Sequence, residues 1–546
     1  MKRTAYWTIA ALVLVLGLVL SACQPAAEPT QAPPPAAATE APAAQPTEAP
    51  APTEEPAAEG PKYGGVLTFA MKEDVTTFDP HKSIQYADKR LNSLLAQQLV
   101  AADNTGKFVG VLAESWETSD DGLVWTFHLR PGVKFHNGAE MTADDVKWVF
   151  DRILSKDSGA AMRSTYVKIG LQVEVVDPAT VKMTITSGAG PFLSYLGLLN
   201  RPAIVHRDGY DADGNATTII GTGPFMLDSF KVGESYTLKK FDEYWVEGQP
   251  YLDGVILSVI TDPVVRLNAL RTGEVDMVEE LPIADVKQLV ENQDPNFTVE
   301  VYYFNSDARL VMNHTRPPFN DLNARQAVQY AFDRNAYNEA VYFGLGQVHN
   351  QPFVPDDIWH LDVPMIEPDI EKAKEYFAAS GLPEGTEITM LLMANQKDAA
   401  EIVDAMLSQV GFKVKFDVVD SAAWNARGKE MDFDMLMGTM TGIYDPDRPY
   451  GYLTQSSSSN WLVGGYSNPT MDQLLIDGIA SIDIDARKAI YTEVLQLVHD
   501  EAATMFIVGL PWVEGWQNYV KGYQPCATFL MDEDASNGLH VTWLDK

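Results

Sequence analysis

The chain has 546 residues, 46% hydrophobic and 10% aromatic, more than one hydrophobic core usually serves, so at least two domains are expected. Its 75 acidic against 40 basic residues leave a formal net charge of −35, which argues against a nucleic-acid binder, whose phosphates demand Lys and Arg. Two cysteines, Cys23 and Cys526, make no disulfide framework, so the core must stabilise the body.

Lys2 and Arg3 precede a mostly apolar run from Ala5 to Leu20 that ends in Leu20-Ser21-Ala22-Cys23, the order of parts in a secretory signal. The run is short for a spanning helix, which wants ~20 apolar residues. Leu-Ser-Ala-Cys resembles the lipobox of bacterial lipoproteins, so residues 1–22 are expected to be removed and Cys23 to carry a lipid that holds the chain on the outer face of the cell membrane. Residues 24–62 are almost entirely Ala, Pro, Glu, Thr and Gln and hold 11 of the 33 prolines. No core forms from that composition. With Cys23, the stretch reads as an extended tether over 23–62, reaching roughly 100 Å at ~3.1 Å per residue.

From Tyr63 to Lys546 the composition is globular, with no second linker and no internal repeat. Trp125, Phe127 and Leu129 alternate within Val124–Arg130, a half-buried strand that Pro131-Gly132 breaks. Thr142 with Asp145 three residues on forms a capping-box-like start, after which Val146, Val149, Phe150, Ile153 and Leu154 share a helical face. Asn320 or Asp321 can cap a second helix running toward Asp333. Val414, Phe416 and Val418 alternate as a strand before Trp424. From Asp485 a helix places Ile490, Val494, Leu497 and Val498 on one face, and Met505 to Trp512 reads as a buried strand. Interleaved helices and strands indicate α/β lobes.

The segment Leu112-Ala113-Glu114-Ser115-Trp116-Glu117, then Asp121-Gly122, then Trp125 through Phe135 and His136-Asn137-Gly138, is similar to the signature of family 5 bacterial extracellular solute-binding proteins. Thr142-Ala143-Asp144-Asp145-Val146 matches the family's helix start. Phe78-Asp79-Pro80, Gly221-Thr222-Gly223-Pro224-Phe225, Tyr244-Trp245, Gly273-Glu274-Val275-Asp276, Pro318-Phe319-Asn320-Asp321, Asp445-Pro446 and Tyr466-Ser467-Asn468-Pro469 follow in the family's order. The resemblance implies a two-lobed periplasmic-binding-protein-like fold of the class II type, with an enlarged first lobe carrying an extra subdomain. Lobe one is expected over 63–310, lobe two over 311–510 and a C-terminal return to lobe one over 511–546, with crossings near Arg309 to Asn313 and near Gly509 to Trp512. Most signature residues read as fold-building: Trp116, Trp125 and Phe127 as core, Pro131-Gly132 and Asn137-Gly138 as turns.

Aligned on Asp445-Pro446, the stretch Thr439-Met440-Thr441-Gly442 falls where the family's peptide binders run a strand along the ligand. Those members commonly place an Asp for the ligand's ammonium where this chain has Gly442, which leaves Asp445 or another neighbouring acid as the substitute anchor. Trp424 matches an aromatic that flanks the family's pocket, Arg427 is placed to supply a cation for a carboxylate, Gln85 and Tyr86 are expected to face the cleft from lobe one, and Trp461 from lobe two. Aromatics suit peptide side chains or sugar rings, so the solute is expected to be a peptide, with an oligosaccharide as the alternative.

No His-Glu-x-x-His, Gly-x-Ser-x-Gly, Gly-x-x-x-x-Gly-Lys or Gly-x-Gly-x-x-Gly occurs, so no catalytic residue or cofactor is assigned. The nine histidines show no ligand spacing and no metal is expected, although a nickel-chelate branch of the family exists. The acid pairs Asp144-Asp145 and Asp432-Asp434 read as a helix start and a solvated strand flank. The expected mechanism is clamp closure on a solute by a monomer, followed by docking of the closed form on an ABC transporter permease.

Overall fold

The computed structural model describes residues 60–546, apart from 84, 198–201, 443 and 526–536. The expected signal, the lipidated Cys23, nearly all of the tether, and Cys526 lie outside the described residues. Gly60–Lys546 forms one compact unit, and Lys62, which composition had assigned to the tether, pairs with Asp545 near the C-terminus.

Two large sheets organise the body. The first has seven strands, in the order Phe297–Tyr302, Trp512–Gln517, Met277–Glu279, Val66–Met71, Gly254–Val259, Ser235–Lys240 and Phe225–Lys231. Val66–Met71 runs parallel to both of its neighbours, and the other pairs are antiparallel. The second sheet has six strands, in the order Gln347–Val348, Met505–Gly509, Asp307–Met312, Met435–Met440, Thr386–Met393 and Phe412–Val419. Each sheet centres a lobe. Their cores are separate: Phe69, Leu91, Phe127, Phe150 and Leu257 belong to the first, Leu310, Val328, Met390, Leu407 and Ile507 to the second.

A separate four-stranded antiparallel sheet, Ala113–Thr118, Val124–Leu129, Thr180–Thr184 and Gln172–Asp177, enlarges the first lobe. Trp125, Phe127 and Leu129 are buried on one face of their strand, as their alternation predicts. The helix Ala143–Leu154 covers this sheet with Val146, Val149, Phe150 and Ile153. Its start follows the expected logic, because the Asp145 carboxylate accepts from both the backbone N–H and the hydroxyl of Thr142, each at 3.0 Å.

In the second lobe Asp321 caps the helix Leu322–Ala331, accepting from Ala324 N–H at 3.1 Å. The helix Ile484–Asp500 buries Tyr491, Val494, Leu495 and Val498, with Ile490 and Leu497 half-buried at the flanks. Val414 and Phe416 are half-buried and Val418 is 46% exposed, because their strand is the sheet edge. Asp434 is not solvated as read: it accepts from Thr389 N–H at 2.7 Å and Arg316 Nε at 3.0 Å, tying two strands to the loop after Met312.

The chain crosses between sheets at residues 303–306 and 510–511. The first crossing precedes Arg309, which already pairs in register with Gly438 of the second sheet. The second divides what read as one buried strand: Met505–Gly509 belongs to the second sheet and Trp512–Gln517 to the first. An apolar run carries no mark of which sheet takes it; the break is Pro511, which has no N–H to give a ladder.

Candidate ligand cleft between the lobes

Beside the two crossings, the start of one lobe-one helix meets the end of one lobe-two strand. The helix Tyr86–Leu95 begins after Gln85, whose exposed side chain makes no cap hydrogen bond. Tyr86 packs edge-on against Trp512 at 6.0 Å between ring centroids, and Trp512 in turn packs on Phe304, a residue of the first crossing, at 5.4 Å. This aromatic stack fixes the Tyr86 hydroxyl against the hydroxyl of Thr441, one residue beyond the strand Met435–Met440. The hydrogen bond joins the lobes directly.

The rest of the 439–442 stretch has distinct environments. Thr439 is exposed and registers with Ala308; Met440 is buried against the second lobe, its sulfur 3.6 Å from Arg309 Nη2. Gly442 sits at φ +65°, a conformation that glycine takes without strain, while an added Cβ would meet only ordinary contact with Tyr444 at 3.5 Å. The requirement at 442 is therefore backbone shape rather than space.

A cavity of about 750 Å³ opens between Met162, Lys168, Ser194 and Tyr195 of the first lobe and Tyr444, Asp447, Arg448, Ser456 and Ile479 of the second. That volume is in the range that encloses a small solute. The lobes are latched around it: Tyr195 Oη donates to Asp447 Oδ2 at 2.6 Å, and Gly190 N–H donates to Ile479 carbonyl at 3.0 Å. Burial raises the pKa of the Asp447 carboxyl, with the Tyr195 hydrogen bond opposing it.

Several expected contacts fall elsewhere. Asp445 is no free anchor for an ammonium: it is buried and takes Arg487 bidentately at 2.9 and 2.6 Å, while also accepting from Asp447 N–H. Arg427 is not available to a carboxylate of the ligand, since it already donates to Asp417 at 2.6 Å and Asp432 at 2.8 Å. Trp424 and Trp461 pack on each other, rings 5.4 Å apart at 67°, with Val311, Leu391, Phe433 and Leu436. Strand alternation puts that cluster on the sheet face opposite Leu310, Met390 and Met435, and neither tryptophan lines the 750 Å³ cavity.

Two cations that sequence reasoning passed over stand at the lobe junction. Lys89, three residues past Tyr86, holds its Nζ 5.7 Å from the Tyr86 ring. Burial, then the nearby Arg448, lowers its pKa to about 8. Arg448 has its Nε buried with no hydrogen-bond partner. Among the described residues neither makes a salt bridge. A cation immediately after Asp445-Pro446-Asp447 was the available sequence signal.

Among the described residues no group of three or more His, Cys, Asp or Glu is placed to hold a metal ion. His136 instead contacts Gly223 carbonyl at 3.0 Å, and burial lowers its pKa to about 4.

Two sheets joined by two short crossings, with a cavity and hydrogen bonds between them, define a two-lobed solute-binding protein. The family model for bacterial extracellular solute-binding proteins, family 5 (middle region), matches residues 107–461, and the chain belongs to that family, whose members bind solutes for ABC transport. It is 30% identical to heme-binding protein A of Haemophilus influenzae over 74% of this chain and 77% of that one, and 29% identical to the dipeptide-binding protein of Escherichia coli over 77% and 84%. The periplasmic binding protein DppA of Helicobacter pylori, solved in complex with the peptide STSA, superposes with a TM-score of 0.73 at 27% identity, covering 89% of this chain and 99% of that one.

Proposed function

We propose that this chain is the solute-binding lipoprotein of an ABC importer that encloses a peptide between its lobes and presents the closed form to a membrane permease. The observation that carries this reading is the Tyr86–Thr441 hydrogen bond, which places a lobe-one helix start against a lobe-two strand end beside the crossings. A solute held there bridges both lobes, and only a solute that contacts both shifts the population toward closure. The dipeptide-binding and peptide-bound relatives support a peptide as the solute. Nothing in this role requires chemistry of the chain itself, since the transporter hydrolyses ATP.

Thermal denaturation of the full chain with pooled short peptides, oligosaccharides and nickel chelates tests the reading. A ligand at a hundredfold its dissociation constant adds ~2.7 kcal/mol of stability. Peptide stabilisation supports the proposal; stabilisation by oligosaccharides alone overturns the peptide assignment. Cys23 is proposed as the lipid attachment point. A Cys23→Ser chain should leave the membrane fraction, and retention there sinks the anchor. The protein is proposed to act as a monomer, which sedimentation at the mass of one chain would bear out.

A further inference from the structure

The crossings have a cleft side and a far side, and alternation along the first tells them apart. Tyr302 and Phe304 pack with Tyr86 and Trp512 beside the cleft. Val299 and Val301, one step out of phase, pack into a lobe-one core cluster with Leu267, Leu270 and Val286, so Tyr303 is directed to that opposite side. There Tyr303 Oη donates to the carbonyl of Leu345 at 2.7 Å. Leu345 stands two residues before the lobe-two strand Gln347–Val348, yet its side chain packs on that lobe-one cluster. Lobe two holds it out rigidly. The helix Arg334–Tyr342 ends in Phe343 at φ +56° and Gly344 at φ +77°, and the buried Asn338 side chain then grips Gly346, accepting from its N–H at 2.8 Å and donating to its carbonyl at 2.9 Å. A Cβ at 346 would lie 2.5 Å from both Asn338 Oδ1 and Val508 Cγ2, so only glycine passes there. Val348 pairs with Val508 just ahead of the second crossing, which ties the turn to the hinge.

We propose that Leu345 is the backstop of the clamp, a lobe-two side chain set against lobe one behind the crossings that limits how far the cleft opens. It is a positioning residue, setting solute affinity without touching solute, and in that respect the inference rests on the solute-binding reading above. Rotation about the crossings that widens the cleft drives the far faces of the lobes together. A core packed as densely as an organic crystal yields little to that compression. A bulkier side chain at 345 therefore stops the opening earlier and raises the closed fraction, while a smaller one lets the lobes swing wider. Apparent affinity scales with the binding-competent fraction, so it moves with the stop.

The test measures the distance between spin labels in the full chain carrying Cys23→Ser and Cys526→Ser. The labels go on Asp120→Cys and Asp485→Cys, exposed positions beside the close approach of Gly122 of lobe one to Ile482 of lobe two. Without ligand, Leu345→Trp should shorten the mean distance relative to the parent chain and Leu345→Ala should lengthen it. Circular dichroism melting checks that both fold, and the Ala variant decides alone if the Trp variant does not. Saturating trialanine should bring every variant to one short distance, with affinity roughly tenfold tighter for Leu345→Trp and roughly tenfold weaker for Leu345→Ala. Unchanged ligand-free distances overturn the backstop while any trialanine binding leaves the solute reading intact. A shorter ligand-free distance in Leu345→Ala also overturns it, since Leu345 would then be holding the clamp open. If the ligand-free distances shift as expected but trialanine closes none of the chains, the backstop stands and the peptide assignment falls.

Discussion

The Trp424–Trp461 block with its neighbour Arg427 and the junction of Lys89 with Arg448 are both made of aromatic and cationic side chains, yet the fold treats them oppositely. In the first, each indole covers the other and the guanidinium is held by Asp417 and Asp432. In the second, neither cation makes a salt bridge among the described residues, and the Arg448 Nε is buried without a hydrogen-bond partner. Residue type and motif position therefore do not mark a binding group; what marks it is whether the surrounding fold has already satisfied it. The first region should govern stability and the second ligand affinity.

Acid tests the stability half of that contrast most severely. His81, His136 and His349 have pKa values lowered to about 4 and His314 to about 3, all chiefly by burial. The unfolded chain, with histidines near 6.5, takes up protons first as pH falls. The stability these neutral side chains contribute is therefore complete above pH 6.5 and is lost as pH falls toward 4, up to about 3 kcal/mol for each. Urea midpoints across that window should drop steeply; a flat profile would mean the histidines are solvated.

Trp461→Ala should cost roughly 3–5 kcal/mol by opening a cavity against Trp424 and leave peptide affinity unchanged. Lost peptide affinity with unchanged stability would exchange the roles of the two regions. Gly190→Ala addresses closure alone. A Cβ there would lie 2.5 Å from the Ser481 carbonyl oxygen and 2.8 Å from Arg487 Nε, contacts that exist only with the lobes together. Ligand affinity should weaken roughly tenfold, the scale of overpacking strain, with little change in the melting of the ligand-free protein. Arg427→Met is the smallest change: under about 1 kcal/mol of stability, as for a partly exposed pair, and no change in affinity. A tenfold affinity loss in that variant would return Arg427 to the cleft.

Much of this molecule was legible one segment at a time. Period-two burial of Trp125, Phe127 and Leu129, the Thr142–Asp145 helix start and the Asp321 cap rest on residues within a few positions of each other, so local pattern sufficed. The cleft shows the limit of such reading. Tyr86 and Thr441, both singled out by motif position, meet across 355 residues of chain. Asp445 and Arg427 were placed as ligand anchors and turned out to be occupied, the first by a helix residue 42 positions away.

The sequence by itself determined the family, the α/β class, the individual helix starts and strands, and the absence of a familiar catalytic motif, because these depend on composition, short spacing and extended signature. Only the tertiary structure decided which apolar run splits between two sheets at Pro511, and which charges are left over once every partner is assigned. Pairing is a property of where the sheets bring distant side chains: Asp445 pairs with Arg487, 42 positions away, and not with Arg448, three positions on in the chain.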